Sequence, residues 1–250
     1  MDEKTFDRVE KKYLLTKSQY DTILPLVKSH TTSDEYYLSD IYNIYYDTAN
    51  YDLIVQSIDQ PDFKEKLRAR SYDGYDKVFL EIKTKLRGHA ALAEIEEPDN
   101  NLGFKRRVLI THDDYDKFKT RQSSAVELAR RDEEQGTDIQ IAREIDYLVS
   151  HLDLRPRIFV RYHRESYKGE RDLRVTFDTD LQYRTRDLSF RKHNKDRPAF
   201  IGEPNIIMEV KAHGSVPLWF ARALSQNHIF PQQFSKIGNI YNKIRKEKNV

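Results

Sequence analysis

One run in this chain restricts its folding more than any other: Phe63-Lys64-Glu65-Lys66-Leu67-Arg68-Ala69-Arg70. Successive side chains of a strand point to opposite faces, so Lys64, Lys66, Arg68 and Arg70 share one face and Phe63, Glu65, Leu67 and Ala69 the other. The pattern recurs. Glu81, Lys83 and Lys85 oppose Leu80 and Ile82; Arg174, Thr176 and Asp178 oppose Leu173, Val175 and Phe177; Glu209 and Lys211 oppose Met208 and Val210. Each strand therefore has an apolar face to be covered and a charged face turned either to bulk water or into the lumen of a closed barrel. Two cations about 6 Å apart repel by roughly 3 kcal/mol at an effective dielectric of about 20, so a lumen of many cations requires a polyanion or compensating carboxylates. A triphosphate or polyphosphate meets that need, because Arg forks bind phosphate oxygens bidentately and Lys acts as a point charge. Glu81 and Glu209 are then candidates to hold Mg²⁺ or Mn²⁺, which take carboxylate and phosphate oxygens together.

Alternating segments predict strands at Phe6 to Leu14, Ile41 to Asp47, Phe63 to Tyr72, Lys77 to Lys85, Arg157 to Tyr167, Asp172 to Tyr183 and Ile206 to Lys211, with Phe104 to Ile110 extended. Helical spacing predicts Thr16 to Lys28 behind a Thr16 cap, His112 to Thr120, Val126 to Leu152 with a break near Gly136, Pro217 to Asn227 and Phe234 to Lys246. Leu188 to Pro204 reads as a long loop, and no internal domain boundary is visible. The 43 Lys+Arg against 41 Asp+Glu leave a net charge of +2, which gives no case for bulk attraction to nucleic acid or membrane. With no cysteine, no signal core and no apolar bilayer-length run, the expectation is a cytoplasmic protein. No glycine-rich phosphate loop is present, and none of the eight histidines is paired at zinc spacing.

The ordered motifs RVEKKYLL, IYYDT, LRARSY, VFLEIKTK, RYHRESY, LRVTFDTDLQYR, IMEVK and FSKIGNIY resemble the VTC domain, the catalytic domain of polyphosphate polymerases within the CYTH or triphosphate tunnel metalloenzyme group. The resemblance runs over nearly all of residues 1–250 as a single domain. It implies an α+β fold: a closed antiparallel β-barrel of about eight strands, flanking helices and a C-terminal helix near one tunnel mouth. It also implies transfer of the γ-phosphate of ATP to a growing inorganic polyphosphate chain with Mn²⁺ or Mg²⁺. Carried over by motif, Arg68, Arg70, Lys83, Arg164, Arg174 and Ser235 bind the substrate, Glu209 binds the metal, and Lys12, Lys83, Lys211 and Lys236 serve the transfer. A further cation is expected from Lys105, Arg106 or Arg107. On the residues alone Ser235 reads as a helix cap and Lys236 as a lysine solvating the exposed side of an amphipathic helix. Two departures bear on the reaction. Arg8, Glu10 and Lys12 stand where the wider group has E-x-E-x-K, and Gln232 and Gln233 precede Phe234 where the polymerase pattern has a second lysine. The first removes an acidic ligand and counts against a two-metal hydrolase, and the second counts against polymerase activity but not against triphosphate binding. A metal-dependent tripolyphosphate or nucleoside-triphosphate hydrolase and a non-catalytic polyphosphate-binding module are the competing expectations.

Overall fold

The computed structural model describes residues 8–59, 62–73, 77–86, 102–129, 139–190 and 195–248. Phe6 and the break expected near Gly136 lie outside them. The strands are β1 (Arg8–Leu15), β2 (Thr32–Asp47), β3 (Phe63–Tyr72), β4 (Lys77–Leu86), β5 (Leu102–Thr111), β6 (Arg155–Lys168), β7 (Arg174–Arg184), β8 (Arg197–Pro198) and β9 (Ile206–His213). The helices are α1 (Lys17–His30), α2 (Asp52–Ile58), α3 (His112–Lys119), α4 (Ala125–Ala129), α5 (Ile139–His151), α6 (Leu218–Gln226) and α7 (Lys236–Lys248). Strands hydrogen-bond in the order β1-β9-β7-β6-β2-β3-β4-β5, with β8 on β7. The pairings β1–β9, β7–β9, β2–β3, β3–β4 and β4–β5 are antiparallel. The α+β class and the antiparallel sheet agree with the sequence. The expected closed ring is not continuous in backbone hydrogen bonds: β1 and β5 end the order among the described residues.

The chain forms two compact units. The first takes residues up to Asp40, Arg161–Gln182 and Arg197–Asn239. Its core is the apolar face of three strands, with Tyr13 and Leu15 of β1, Val175 and Phe177 of β7, and Met208 and Val210 of β9, all covered by Ile23 and Val27 of α1 and by Phe220 and Leu224 of α6. The expected cap of α1 is a full capping box. Thr16 Oγ1 accepts from Gln19 N at 3.2 Å and Gln19 Oε1 accepts from Thr16 N at 3.0 Å, which satisfies two helix-end donors.

The second unit takes Ile41–Val160, Tyr183–Asp196 and the chain from Ile240 onward. Leu67 and Ala69 of β3, Leu80 and Ile82 of β4, and Val108 and Ile110 of β5 pack beneath Tyr115 and Phe118 of α3 and Ala142 and Ile145 of α5. In both units these helices sit on the apolar faces, which leaves the charged strand faces to carry chemistry. One helix escaped the sequence reading. At the end of β2 the buried Asp47 carboxylate accepts backbone N–H groups from Thr48 at 2.8 Å, Leu53 at 3.0 Å and Ile54 at 3.0 Å, turning the chain directly into α2. The aspartate of the IYYDT motif is thus a structural cap.

Candidate functional site

In the second unit, β-pairing converts sequence alternation into rows. Tyr45, Arg68, Glu81 and Arg107 lie in one row across β2, β3, β4 and β5. Asn43, Arg70 and Phe79 form the next, and Lys66, Lys83 and Lys105 the row on the other side. Glu81 is the hub. Its side chain is 0% exposed, and its Oε2 lies 2.7 Å from Arg68 Nε and 2.6 Å from Arg68 Nη2. Arg70 Nε lies 3.9 Å from the same oxygen and donates to Asn43 Oδ1 at 2.8 Å, while Asn43 Nδ2 is anchored on the Val160 carbonyl at 3.2 Å. Lys105 Nζ reaches to 3.9 Å from Glu81 Oε1, and the Arg107 guanidinium rests over the Phe79 ring at 4.4 Å.

The register also resolves the ambiguity within Lys105-Arg106-Arg107. Lys105 and Arg107 share the face of Lys83 and Glu81, whereas Arg106 points the other way and donates to Glu144 of α5 at 2.8 Å.

This cluster is positive beyond what Glu81 neutralises, and its phenols record it. Burial alone would raise Tyr45, yet Arg68, Arg70 and Lys66 pull it down to about 8, and Arg68 Nη1 donates to its hydroxyl at 3.4 Å. Tyr72 is lowered as well: burial opposes the shift, and Arg70 drives it by charge and by donating to the hydroxyl at 3.3 Å. Glu81 is held below the usual carboxylate range; burial resists this, and Arg68, Arg70 and Lys105 outweigh it. A native phenol ionising near 8 against about 10 in an unfolded chain releases its proton first on folding. Tyr45 therefore adds stability as pH rises from about 8 to about 10. Ultraviolet phenolate titration should reveal a step near 8 that Tyr45→Phe removes and that bound tripolyphosphate moves upward. A step that ignores tripolyphosphate would place the anion elsewhere.

In the first unit the face formed by β1, β9 and β7 alternates in sign. Lys12 pairs with Glu209, which pairs with Thr176; Glu10 pairs with Lys211, which pairs with Arg174. Lys211 Nζ lies 3.2 Å from Glu209 Oε1 and 3.3 Å from Glu10 Oε2, and Lys12 Nζ is 3.4 Å from Glu10 Oε1. Asp178, 0% exposed, accepts from Arg164 Nε at 2.6 Å and Nη2 at 2.7 Å, and its Oδ2 lies 2.5 Å from Lys236 Nζ. The Tyr162 ring supports both cations, 5.4 Å from the Arg164 guanidinium carbon and 4.8 Å from Lys236 Nζ. Glu209 sits far below the usual carboxylate range. Burial opposes that shift, and Lys211, Lys236, Arg164 and Lys12 together overcome it.

Among the described residues no three His, Cys, Asp or Glu side chains cluster as a metal cage. Asp178, Glu10 and Glu209 are all engaged by cations, Glu209 through Oε1 at 3.2 Å from Lys211 Nζ, so Glu209 could offer a metal one carboxylate only by sharing it with that lysine. That donor set fits a hard cation such as Mg²⁺ or Mn²⁺, which binds through one or two carboxylates and takes its other ligands from phosphate oxygens and water.

The structure thus brings Lys12, Arg164, Arg174, Glu209, Lys211 and Lys236 onto one face, and Arg68, Arg70 and Lys83 onto another. The Ser235 hydroxyl accepts from Gly238 N at 3.3 Å and caps α7, which leaves its O–H proton to donate. Asp178, Tyr162, Asn43, Tyr45 and Tyr72 were not singled out from sequence. Asp178 had a visible signal in its alternation with Arg174 and Thr176, and the phenols had none beyond lying in IYYDT and LRARSY.

The fold recurs in solved structures of low sequence identity. A putative adenylyl cyclase from Hippeastrum, described as having a dominant triphosphatase activity, superposes with a TM-score of 0.53 at 13% identity over 96% of each chain. A protein from Pyrococcus horikoshii gives 0.47 at 14% identity, covering 94% of this chain and 99% of its own. A putative adenylate cyclase from Vibrio parahaemolyticus gives 0.44 at 12%, covering 95% and 99%. Curated protein sequences yielded no match. Residues 7–244 match the VTC domain, and the chain belongs to that family.

Proposed function

We propose that residues 1–250 work as a single VTC-type domain that transfers the γ-phosphoryl group of ATP to the end of an inorganic polyphosphate chain. The observation that carries this reading is the cluster around Arg68 and Arg70, where one buried carboxylate faces several cations and both neighbouring phenols are pulled toward ionisation. Such a site is best neutralised by a ligand bearing several negative charges close together. Condensed phosphates have that property.

In the reaction a terminal oxygen of the chain attacks the γ-phosphorus, the bond from that phosphorus to the β-bridging oxygen breaks, and ADP leaves. The attacking oxygen is already anionic, so no side chain has to remove a proton. The protein's task is to position the reactants and to supply positive charge where the transition state spreads negative charge. Arg68 and Arg70 present planar forks fixed by Glu81, Asn43 and Tyr72, and Lys66, Lys83 and Lys105 add point charges beside them. Arg164 and Lys236 are held by Asp178, and Arg174 by Asp34 at 2.9 Å. Glu209 would hold a divalent cation, Mn²⁺ or Mg²⁺, which when bound screens charge on the phosphate oxygens.

Incubating the purified protein with ATP and Mn²⁺ or Mg²⁺ should yield a polyphosphate ladder on a gel, with ADP in step. Free phosphate without chains would make the protein a hydrolase, and Gln232 and Gln233, standing where the polymerase pattern has a second lysine, are the reason to assay for it. Tight polyphosphate binding with neither product would leave a binding module.

A further inference from the structure

Within the first unit, two buried side-chain atoms have no hydrogen-bond partner among the described residues: Thr176 Oγ1 and Arg174 Nε. Thr176 is 4% exposed. It faces a cavity of about 20 Å³ that it lines together with Arg164, Arg174, Glu209 and Lys211. A buried hydroxyl with no partner has given up its hydration for nothing, and such a group is normally satisfied by a ligand or water when the protein works. The cavity lining says which kind of ligand. Three cations meet one carboxylate, and that carboxylate is already held by Lys211 at 3.2 Å. The two unpartnered atoms can both donate. An anionic oxygen acceptor fits this set, and the space suits one oxygen rather than a whole phosphoryl group.

We infer that Thr176 is a further substrate-binding residue whose hydroxyl, with Arg174 Nε, donates to one non-bridging oxygen of a condensed phosphate. This rests on the phosphate-transfer reading above and names a contact that sequence motifs did not supply. The oxygen enters the cavity while its phosphorus stays outside. Thr176 lies directly opposite Glu209 in the β7–β9 register, so a phosphate held here would lie beside the carboxylate that would hold a divalent cation.

The test uses Thr176→Val, which keeps the shape and deletes the hydroxyl, and Thr176→Ser, which keeps the donor. Inorganic tripolyphosphate is the probe, with affinity measured by calorimetry and thermal unfolding recorded with and without it. Without tripolyphosphate, Thr176→Val should unfold at the wild-type temperature or about 2 °C higher, because an unpaired buried hydroxyl has gone. Its affinity for tripolyphosphate should fall by about tenfold, the weight of a hydrogen bond to a charged group, and Thr176→Ser should stay near wild type. Wild-type affinity in Thr176→Val overturns the inference, as does a lowered unfolding temperature without ligand, which would reveal an internal partner. If the wild-type protein itself does not bind tripolyphosphate, the functional reading fails with it. Binding that persists in Thr176→Val but disappears in Arg70→Ala would sink the inference alone.

Discussion

Arg68→Ala is expected to eliminate measurable turnover, a loss of at least about a hundredfold, and to lower stability by about 3–5 kcal/mol. Two separate causes are involved. Removing the guanidinium deletes a phosphate fork, and it also takes from the fully buried Glu81 its closest cation, at 2.6 Å, leaving only Arg70 and Lys105 at 3.9 Å. A second variant separates them. Replacing both partners, Arg68→Met with Glu81→Leu, exchanges a buried ion pair for apolar groups of similar volume, a change that is often neutral or stabilising. Urea unfolding of the double variant should return close to wild type while turnover and tripolyphosphate binding stay lost. A double variant with wild-type kinetics would show that Arg68 serves the fold alone.

Asp178→Ala should be the most damaging single change in the first unit. It leaves Arg164 and Lys236, with side chains 17% and 13% exposed, without the carboxylate that binds both, at an expected cost of about 3–5 kcal/mol. The pH dependence has a definite sign. Burial opposes ionisation of Asp178, but Arg164 and Lys236 hold its folded value below the ordinary one. Its contribution is therefore complete above about pH 4 and is lost as pH falls through the lowered folded value. Lys236 moves the other way: burial would lower it, and Asp178 raises it, so its share is complete below about pH 10 and is lost as pH rises through the raised folded value. The stability gap between wild type and Asp178→Ala should thus be widest between those limits and should shrink in acid. A gap independent of pH would mean that the lost term is packing, not charge.

The strands of the charged faces were legible in the sequence because their period is two and their signs repeat. Both β3 and β9 appeared close to their true bounds on alternation alone. The first half of β2 did not. Thr32–Asp40 is exposed at most positions, so its Ser33-Asp34-Glu35-Tyr36 stretch carries no apolar face to read. Helix α2 was hidden for a different reason, since its start is written in Asp47, five residues upstream, through hydrogen bonds that only the folded turn brings together. For the sites, residue identity came from motif order, whereas the pairing of partners came from register. Nothing in the letters links Arg164 to Asp178 or Arg68 to Glu81; cross-strand neighbours are set by where hairpins turn. The same logic separates Arg106 from Lys105 and Arg107, which are adjacent in sequence and opposite in direction.

The alternating signs across β1 and β9 have a consequence for how that pair finds its alignment. Hydrophobic patterning rejects a slip of one residue, because every side chain would change face, but it is blind to a slip of two. Here a two-residue slip in one direction would set Lys12 against Lys211, and in the other Glu10 against Glu209, in place of the observed Lys12–Glu209 and Glu10–Lys211 partners. Like charges directly opposite are penalised, so the charges proofread the alignment errors that the apolar face lets through. Between β3 and β4 no such check operates: Lys66 already opposes Lys83 and Lys64 opposes Lys85, and a two-residue slip exchanges one repulsive match for another. Nor does Glu81 mark the register, because the same slips would set it against Arg70 or Lys66 in place of Arg68, so this strand pair depends on its hairpin where β1 and β9 can depend on charge.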